Sequence, residues 1–209
     1  MRYRPAFLAI LLVGTLLFTA CQPRPEPVES VGTEAQAEGE PDKIFQKEYQ
    51  IRETPESPTD LKPGLYCLSA VDGEGSFQLV APDQTGDKLI REQRFSSRAW
   101  VEVRAGELLR FSGSVIETYD EREQQEYCPT RLGNGFFLIG VDLFPGILTV
   151  EAMESEGSGD PVCEIYTTAH DLLEGPVRIY EFDYPIINIR LEEGEFLLLQ
   201  NADIFIPST

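Results

Sequence analysis

In residues 101–104 and 187–192 every second side chain is apolar. This alternation is typical of a β-strand with one buried face, because successive side chains of a strand point to opposite sides. Segments rich in β-branched, Leu or aromatic residues predict further strands at 65–71, 76–82, 107–117, 136–143, 146–153 and 195–206. Turn residues separate the segments, which predicts an all-β chain of antiparallel β-sandwich or jelly-roll-like architecture. The one helical candidate is 167–173.

Three blocks of the first half recur in the same order in the second half. Segment 63–66 (PGLY) is similar to 134–137 (NGFF), and Gly75 is matched by Gly146, both at an offset of 71 residues. A later block, 101–109, matches 189–197 at an offset of 88. This order predicts two tandem, internally duplicated β-repeats. We place the first repeat with its connector at 61–130 and the second at 131–209, with an insert at about 152–183.

The second repeat carries the clearest motif. Segment 135–146 (GFFLIGVDLFPG) is followed by 191–197 (LEEGEFL). The pair resembles short β-repeat modules of bacterial surface proteins and lipoproteins, in which a "pGxYxvGxDixpGxYxl" start precedes a "vxlxdGxyLxl" end. The resemblance implies a β module on the cell surface and no particular activity.

The N-terminus has the features of a targeting segment. Arg2 and Arg4 precede an uninterrupted apolar or small run at 6–18, which is short for a membrane span and of secretory length. Phe18-Thr19-Ala20-Cys21 follows and resembles a bacterial lipobox. The resemblance implies a lipoprotein signal peptide at 1–20, acylation of Cys21 and a lipid-anchored, extracytoplasmic place in the cell envelope. An ordinary signal peptide cut near Ala20 and an uncleaved anchor are the alternatives.

Residues 21–60 are rich in Pro and Glu and poor in large apolar side chains. Such a segment buries too little surface to offset its ordering entropy, so the composition predicts a disordered acidic tether. Four apolar residues, Ile44, Phe45, Tyr49 and Ile51, are the alternative signal, because they would suit one short helix or strand.

The charge of the chain limits its partners. Its 36 Asp and Glu residues outweigh 17 Lys and Arg residues and give a net charge of -19. Nucleic acid is excluded because phosphate binding needs basic patches, and an anionic membrane surface would repel the body. The membrane partner is therefore the lipid anchor, and an envelope polysaccharide or a protein is the expected ligand.

Three cysteines remain beside Cys21. We expect Cys67 to be a small buried core residue, and of the possible disulfides we favour Cys128–Cys163, which would tie the insert to the connector. Three scattered Cys and a single His lack the paired spacing of a zinc site.

Two ligand sites can be proposed from residue type. Trp100 shares its phase with the polar residues of its strand, so its ring is expected on the polar face. We favour burial of the ring there under a loop or the other repeat; the alternative is an exposed ring that stacks a sugar ring. Tyr180 and Tyr184 could extend that platform. We expect no cofactor, with Ca²⁺ as the alternative. Glu154, Glu156 and Asp160 lie on a Gly-rich loop and would be the Ca²⁺ ligands.

No catalytic motif stands out. We expect His170 to be a solvated surface residue, and no nucleophile frame is present. The sequence therefore predicts a non-enzymatic β binding, adhesion or structural module on a lipid-anchored envelope protein. The alternatives are a carbohydrate-binding module that uses Trp100, and a hydrolase that uses a pair of carboxylates.

Overall fold

The chain is described by a computed structural model covering residues 46–84, 86–124, 131–153 and 159–205. The described residues lie in one compact body, Pro41–Thr209. They are mostly β-strand with one short helix, α1 (Tyr119–Glu123), so the predicted all-β class is confirmed. The described residues 167–173 form no helix, contrary to prediction. Within this part of the chain no helix is long and apolar enough to cross a membrane.

Sixteen strands are found in the described residues. In chain order they are β1 (Lys47–Ile51), β2 (Asp60–Leu61), β3 (Gly64–Ala70), β4 (Gly75–Asp83), β5 (Gly86–Phe95), β6 (Arg98–Val103), β7 (Leu108–Ser112), β8 (Ser114–Thr118), β9 (Arg131–Leu132), β10 (Gly135–Leu138), β11 (Gly146–Ala152), β12 (Val162–Tyr166), β13 (Arg178–Ile179), β14 (Ile186–Leu191), β15 (Phe196–Gln200) and β16 (Ala202–Phe205). They make three sheets, with the orders β2-β1-β7-β4-β5, β13-β12-β15-β10-β6-β3-β8 and β14-β11-β16-β9.

The seven-stranded sheet is the middle layer of the body. Phe136 and Leu138 of β10 pack into a core with the β2-β1-β7-β4-β5 sheet, whereas Phe137 packs into a second core with the β14-β11-β16-β9 sheet. Because alternate residues of a strand face opposite sides, both faces of β10 are covered. The same holds for β15, which explains why their sequences, GFFL and FLLLQ, are apolar without alternation.

The same strand pairings occur twice along the chain. The first β unit, β1 to β8, has the orders β1-β7-β4-β5 and β6-β3-β8; the second β unit, β10 to β16, has the orders β10-β15-β12-β13 and β14-β11-β16. Strands β6, β7 and β14, β15 have bounds that differ by 88 residues throughout. The units are joined inside the middle sheet, where β10 lies parallel to β6.

Hydrogen bonds outside the ladders recur in the same way. Ile51 N donates to Glu107 O at 3.0 Å, and Ile139 N donates to Glu195 O at 2.9 Å. Ala70 N donates to Ser97 O, and its counterpart Ala152 N donates to Pro185 O. The predicted offset of 88 therefore relates residues in equivalent structural positions.

The predicted offset of 71 residues does not relate residues in equivalent structural positions. Gly64 faces Val103 across β3 and β6, and the residue that faces the counterpart of Val103 is Gly146 rather than Gly135. The first strand of the second unit, β10, corresponds to β1 instead. The predicted insert at 152–183 is also wrong in part, because it supplies β12 and β13, which occupy the places of β4 and β5.

The predicted tether ends earlier than residue 60. Strand β1 pairs with β7, Ile51 is buried, and the ring of Tyr49 stacks on Phe111 at 5.6 Å between centroids. Tyr49 and Ile51 are therefore part of the first core. The rest of the predicted tether up to residue 45, like the signal peptide at 1–20, lies outside the described residues.

Candidate ligand-binding site

A buried carboxylate, Asp142, lies where the two β units meet. Its Oδ1 accepts a hydrogen bond from Arg98 Nη1 at 2.6 Å and lies 3.4 Å from Arg122 Nε. Its Oδ2 accepts from Trp100 Nε1 at 2.5 Å and from Leu138 N at 3.0 Å. Two cations, an indole and a backbone amide thus surround one carboxylate and compensate its burial away from water.

Each partner is positioned by a different element. Arg98 and Trp100 are two residues apart on β6 and therefore share a face. Arg122 lies in the last turn of α1, which begins with a capping box in which Thr118 and Glu121 bond each other reciprocally. Asp142 follows β10 of the second unit. The cluster consequently joins the first unit, the connector and the second unit.

A cavity of about 510 Å³ lies beside this cluster. Its lining residues include Arg98, Arg122 and Arg131, together with Ser69, Ser96 and Ser97. Glu117 is the one acidic side chain among its described lining residues, and it accepts a hydrogen bond from Ser69 Oγ at 3.1 Å.

The site is far less acidic than the chain as a whole. The carboxylates of Asp142 and Asp203 are buried beneath the cavity, where Asp203 pairs with Arg131. With Glu117, these carboxylates balance the three guanidiniums. The charges described at this cavity therefore sum to zero in a chain of net charge -19.

The hypothesis that Trp100 forms an exposed platform for a sugar ring is wrong. Trp100 is fully buried, its indole N–H is used by Asp142, and its ring packs on Tyr119 at 6.1 Å between centroids. The alternation correctly placed Trp100 on the face opposite to Val101 and Val103. That face is not exposed, however, because α1 and the segment after β10 cover it.

The two tyrosines predicted to extend the platform do not meet Trp100. The Tyr180 hydroxyl donates to Arg190 O at 3.0 Å and accepts from Arg190 N at 3.2 Å, so it satisfies the backbone at the free edge of β14. Tyr184 is 74% exposed at the start of β14. Neither residue lines the cavity beside Asp142.

The predicted calcium ligands are only partly described. Glu154 and Glu156 lie outside the described residues, and Asp160 is exposed. Among the residues whose positions are described, no three His, Cys, Asp or Glu side chains come together as a metal site.

The described cysteines are buried thiols. Cys67 is buried as expected. Cys163 is buried and its thiol is free, so Cys163 does not form the predicted disulfide with Cys128. Cys21 and Cys128 lie outside the described residues. Burial raises the pKa of the Cys67 and Cys163 thiols to about 12 each, which keeps them protonated and unreactive.

His170 is buried rather than solvated. Its Nε2 lies 2.6 Å from Glu107 Oε1, and its Nδ1 lies 3.5 Å from Asp171 Oδ2. Glu107 Oε2 also accepts from Arg104 N at 2.7 Å. Both described partners of the ring are carboxylates. The contact between His170 and Glu107 holds the segment after β12 against the turn between β6 and β7.

A third buried arginine, Arg91, has no carboxylate among its described partners. Its Nη1 donates to Ala169 O at 2.7 Å and to Trp100 O at 3.2 Å. Its guanidinium lies over the Phe136 ring at 4.2 Å and over the Phe77 ring at 5.2 Å. Burial lowers the pKa of Arg91 to about 9, so it remains charged at neutral pH.

Sequence reasoning missed the roles of Asp142, Arg98 and Arg122. Asp142 belongs to the quoted motif of the second repeat, and the Thr118-x-x-Glu121 capping box signals the helix that carries Arg122. No protein-family model, no curated protein and no solved structure matches this chain.

Proposed function

We propose that the chain is a lipid-anchored, extracytoplasmic protein of the cell envelope. In this proposal residues 1–20 are removed, Cys21 carries the lipid, and the following segment separates the lipid from the β body. The arginines before the apolar run and the lipobox-like residues 18–21 support it.

We further propose that the β body is a non-enzymatic binding module. The observation that carries this is the cavity at the junction of the two β units, where three arginine and three serine side chains converge beside the buried Asp142. Pockets at the boundary between structural units are common binding sites, because residues from both sides can contact one ligand. An envelope polysaccharide or a protein is the ligand class that the location favours.

The two β units are, in this proposal, copies of one ancestral repeat. The support is the shared strand order, the constant offset of 88 residues at the first strand and the last three strands, and the matching hydrogen bonds of Ile51 and Ile139. The two units have no binding residue in common, and the junction between them occurs once. We therefore place the binding site at the junction.

The anchor is tested by Cys21→Ser in cells, with Cys67→Ser as the matched control. We expect Cys21→Ser to release the protein from the membrane fraction or to block its processing, whereas the control stays in that fraction. Unchanged retention of Cys21→Ser would show that another segment anchors the chain.

Binding is tested with the full chain in non-ionic detergent, applied to isolated cell-wall and polysaccharide fractions with and without Ca²⁺. Ser97→Asp introduces a carboxylate at the cavity, and Ser97→Asn is its uncharged isostere. We expect retention that is lost in Ser97→Asp and kept in Ser97→Asn. Equal retention of both variants would exclude the junction cavity as the binding site.

A further inference from the structure

We propose that Lys43 and Ile44 form a short strand on the outer edge of β8. Among the described residues β8 ends the seven-stranded sheet, with β3 as its one strand partner. Its counterpart in the second unit, β16, has a strand on each side, β11 and β9. The proposed occupant of the β8 edge is thus a segment of this chain that precedes the described residues. The proposal concerns the β body alone and does not depend on acylation of Cys21.

The offset of 88 residues selects this segment. Strand β9 is Arg131–Leu132, and 88 residues earlier the sequence has Lys43 and Ile44, again a basic residue followed by an aliphatic one. Pro129 and Pro41 stand two residues before the respective pairs. Each pair is followed by two residues and then by equivalent strands, β10 in the second unit and β1 in the first. The chain before β1 therefore has the length and the residue types to repeat β9.

The first described residue, Gln46, already lies in the matching place. Its counterpart Asn134 accepts a hydrogen bond on Oδ1 from Asn201 N at 2.7 Å, in the turn before β16. Asn201 and its counterpart before β8, Gly113, both have left-handed backbones, with φ of 52° and 65°. Gln46 and Gly113 line one cavity of about 600 Å³. The chain thus reaches β1 beside the turn that leads into β8, as it reaches β10 beside the turn that leads into β16.

The apolar face of the proposed pair has a place for Ile44. In the described pair, Leu132 lies opposite Ile204, and both are buried in the second core. The same antiparallel register places Ile44 opposite Ile116, which is partly buried and packs against the first core. Burial of Ile44 there would extend the first core as Leu132 extends the second. Cross-strand pairs of this kind stabilise a sheet.

The charges across the proposed pair are complementary. Arg131 lies opposite Phe205, with its guanidinium 4.8 Å from the ring centroid. The same register places Lys43 opposite Glu117, so an ion pair would take the place of the cation–π contact. Opposite charges directly across an antiparallel pair are favourable, whereas like charges are destabilising. A basic residue at position 43 therefore suits an edge that carries a carboxylate.

The segment would also cover an exposed apolar residue of β8. Val115 is 46% exposed, whereas its counterpart Asp203 is 5% exposed. A Cβ at Gly133, which follows β9, would lie 2.9 Å from Asp203 Oδ1. The residue equivalent to Gly133 is Phe45, whose ring would consequently lie beside Val115. An apolar edge residue thus meets an apolar residue of the proposed occupant, which protects the edge from pairing with another chain.

This strand would bring the N-terminal segment to the junction cavity. Val115 and Glu117 are lining residues of that cavity. With the anchor at Cys21, the chain that leads to the lipid would leave the body at the cavity wall, beside the boundary of the two units. The proposed anchor and the proposed ligand site would then lie at the same end of the N-terminal segment's path over the body.

Chemical cross-linking of the full chain in non-ionic detergent tests the strand directly. A carbodiimide joins a Lys amine to a carboxylate in contact with it, with loss of water, and peptide mass analysis locates the link. We expect a link between Lys43 and Glu117 within one chain. The same link formed between two chains would identify a second copy as the occupant of the edge and would overturn the proposal.

A pair of variants tests the same strand through hydrogen exchange. Ile44→Asp places a charge in the proposed pair, and Val31→Asp is the matched control farther along the N-terminal segment. We expect Ile44→Asp to remove the Lys43–Glu117 link and to speed exchange of the β8 amides that face away from β3 at least about tenfold, because a buried charge opens the pair. Val31→Asp should change neither. Unchanged emission of Trp100 verifies that each variant is folded.

Equal exchange rates of these β8 amides in the parent and in Ile44→Asp would overturn the proposal. Slow exchange in both would show that another segment or a partner covers the edge. Fast exchange in both would show an edge that is open to water. Neither result bears on retention of the chain by Cys21 or on ligand binding, so the proposed function is tested separately.

Discussion

The indole N–H of Trp100 donates to the carboxylate of Asp142 at 2.5 Å. Trp100 belongs to β6 of the first unit and Asp142 follows β10 of the second, so this bond crosses the boundary at which the two units share a sheet. The one tryptophan of the chain is therefore part of the contact between the units.

Asp142→Asn should be strongly destabilising. The variant removes the negative charge shared by Arg98 and Arg122 and leaves both cations buried, which costs about 3–5 kcal/mol. Urea unfolding of the full chain measures the change. Asp72→Asn, at an exposed turn, is the control and should change the free energy of unfolding by less than about 0.5 kcal/mol. Similar small losses in both variants would mean that Asp142 does not compensate the two arginines.

Trp100 should report a buried environment. Because Trp100 is the only tryptophan, the emission spectrum comes from this site alone. We expect blue-shifted emission with weak acrylamide quenching in the native state, and a red shift with strong quenching after unfolding. Strong quenching of the native protein would restore the exposed aromatic platform that the structure excludes.

Arg91→Met should separate the charge of Arg91 from its packing. Methionine fills a similar volume without a buried cation, so the free energy of unfolding at pH 7 should stay within about 1 kcal/mol of the parent or exceed it. Arg91→Ala leaves a cavity between Phe77 and Phe136 and should cost about 3 kcal/mol. If the Met variant loses as much as the Ala variant, the charge itself is stabilising.

The pH dependence of the parent follows from the same residue. Burial lowers the pKa of Arg91 to about 9 in the native state, whereas in the unfolded chain the pKa of this guanidinium has its ordinary, higher value. The buried, charged guanidinium destabilises the native state to its full extent below pH 9. This penalty falls as the pH rises above 9, because the native state then loses the proton before the unfolded chain does. The parent should therefore gain stability relative to Arg91→Met between pH 9 and pH 11, which unfolding titrations at both values measure.

Cys67 and Cys163 should resist alkylation until the protein unfolds. Their thiols are buried and protonated, and only the thiolate reacts. Iodoacetamide at neutral pH, followed by peptide mass analysis, should label neither in native protein and both in guanidinium chloride without reductant. A Cys163 that labels only after reduction would indicate the disulfide that the structure lacks.

Ile51→Ala should destabilise the body although residue 51 lies in a segment of tether-like composition. Its side chain is buried in the first core, so truncation should cost about 2–4 kcal/mol in denaturant unfolding. Glu53→Ala, two residues later and exposed, is the matched control with an expected change near zero. Equal stability of the two variants would mean that β1 is dispensable.

The ends of the two-unit array are closed by different means. Ser97 N donates to Asn134 O where the second unit joins the first, and the equivalent residue of the second unit is Pro185, which has no N–H to donate. The Tyr180 hydroxyl also hydrogen-bonds the backbone N–H and C=O of Arg190 on β14. At the other end, β2 lies parallel to β1 and covers Gln50 and Ile51. Within the described residues, these features occupy or remove backbone groups that a further strand would need at each end.

The sequence by itself determined the all-β class, the position of most strands and the offset of 88 residues between their last members. These follow from local properties: alternation, turn residues and a recurring Gly-Glu step. It also placed Trp100 on the correct face of its strand. The strand β5 was missed because its charged residues hide the pattern, with Arg91 and Gln93 on the buried side.

Only the tertiary structure decided which strands pair and which faces are covered. Gly64 matches Gly135 and Gly146 about equally well in sequence, and the ladder register selects Gly146. Trp100 lies on a polar face by its phase, yet it is buried because α1 and the segment carrying Asp142 pack over it. A periodic pattern states which side chains share a face; whether that face meets water depends on elements distant in the chain, which local periodicity does not encode.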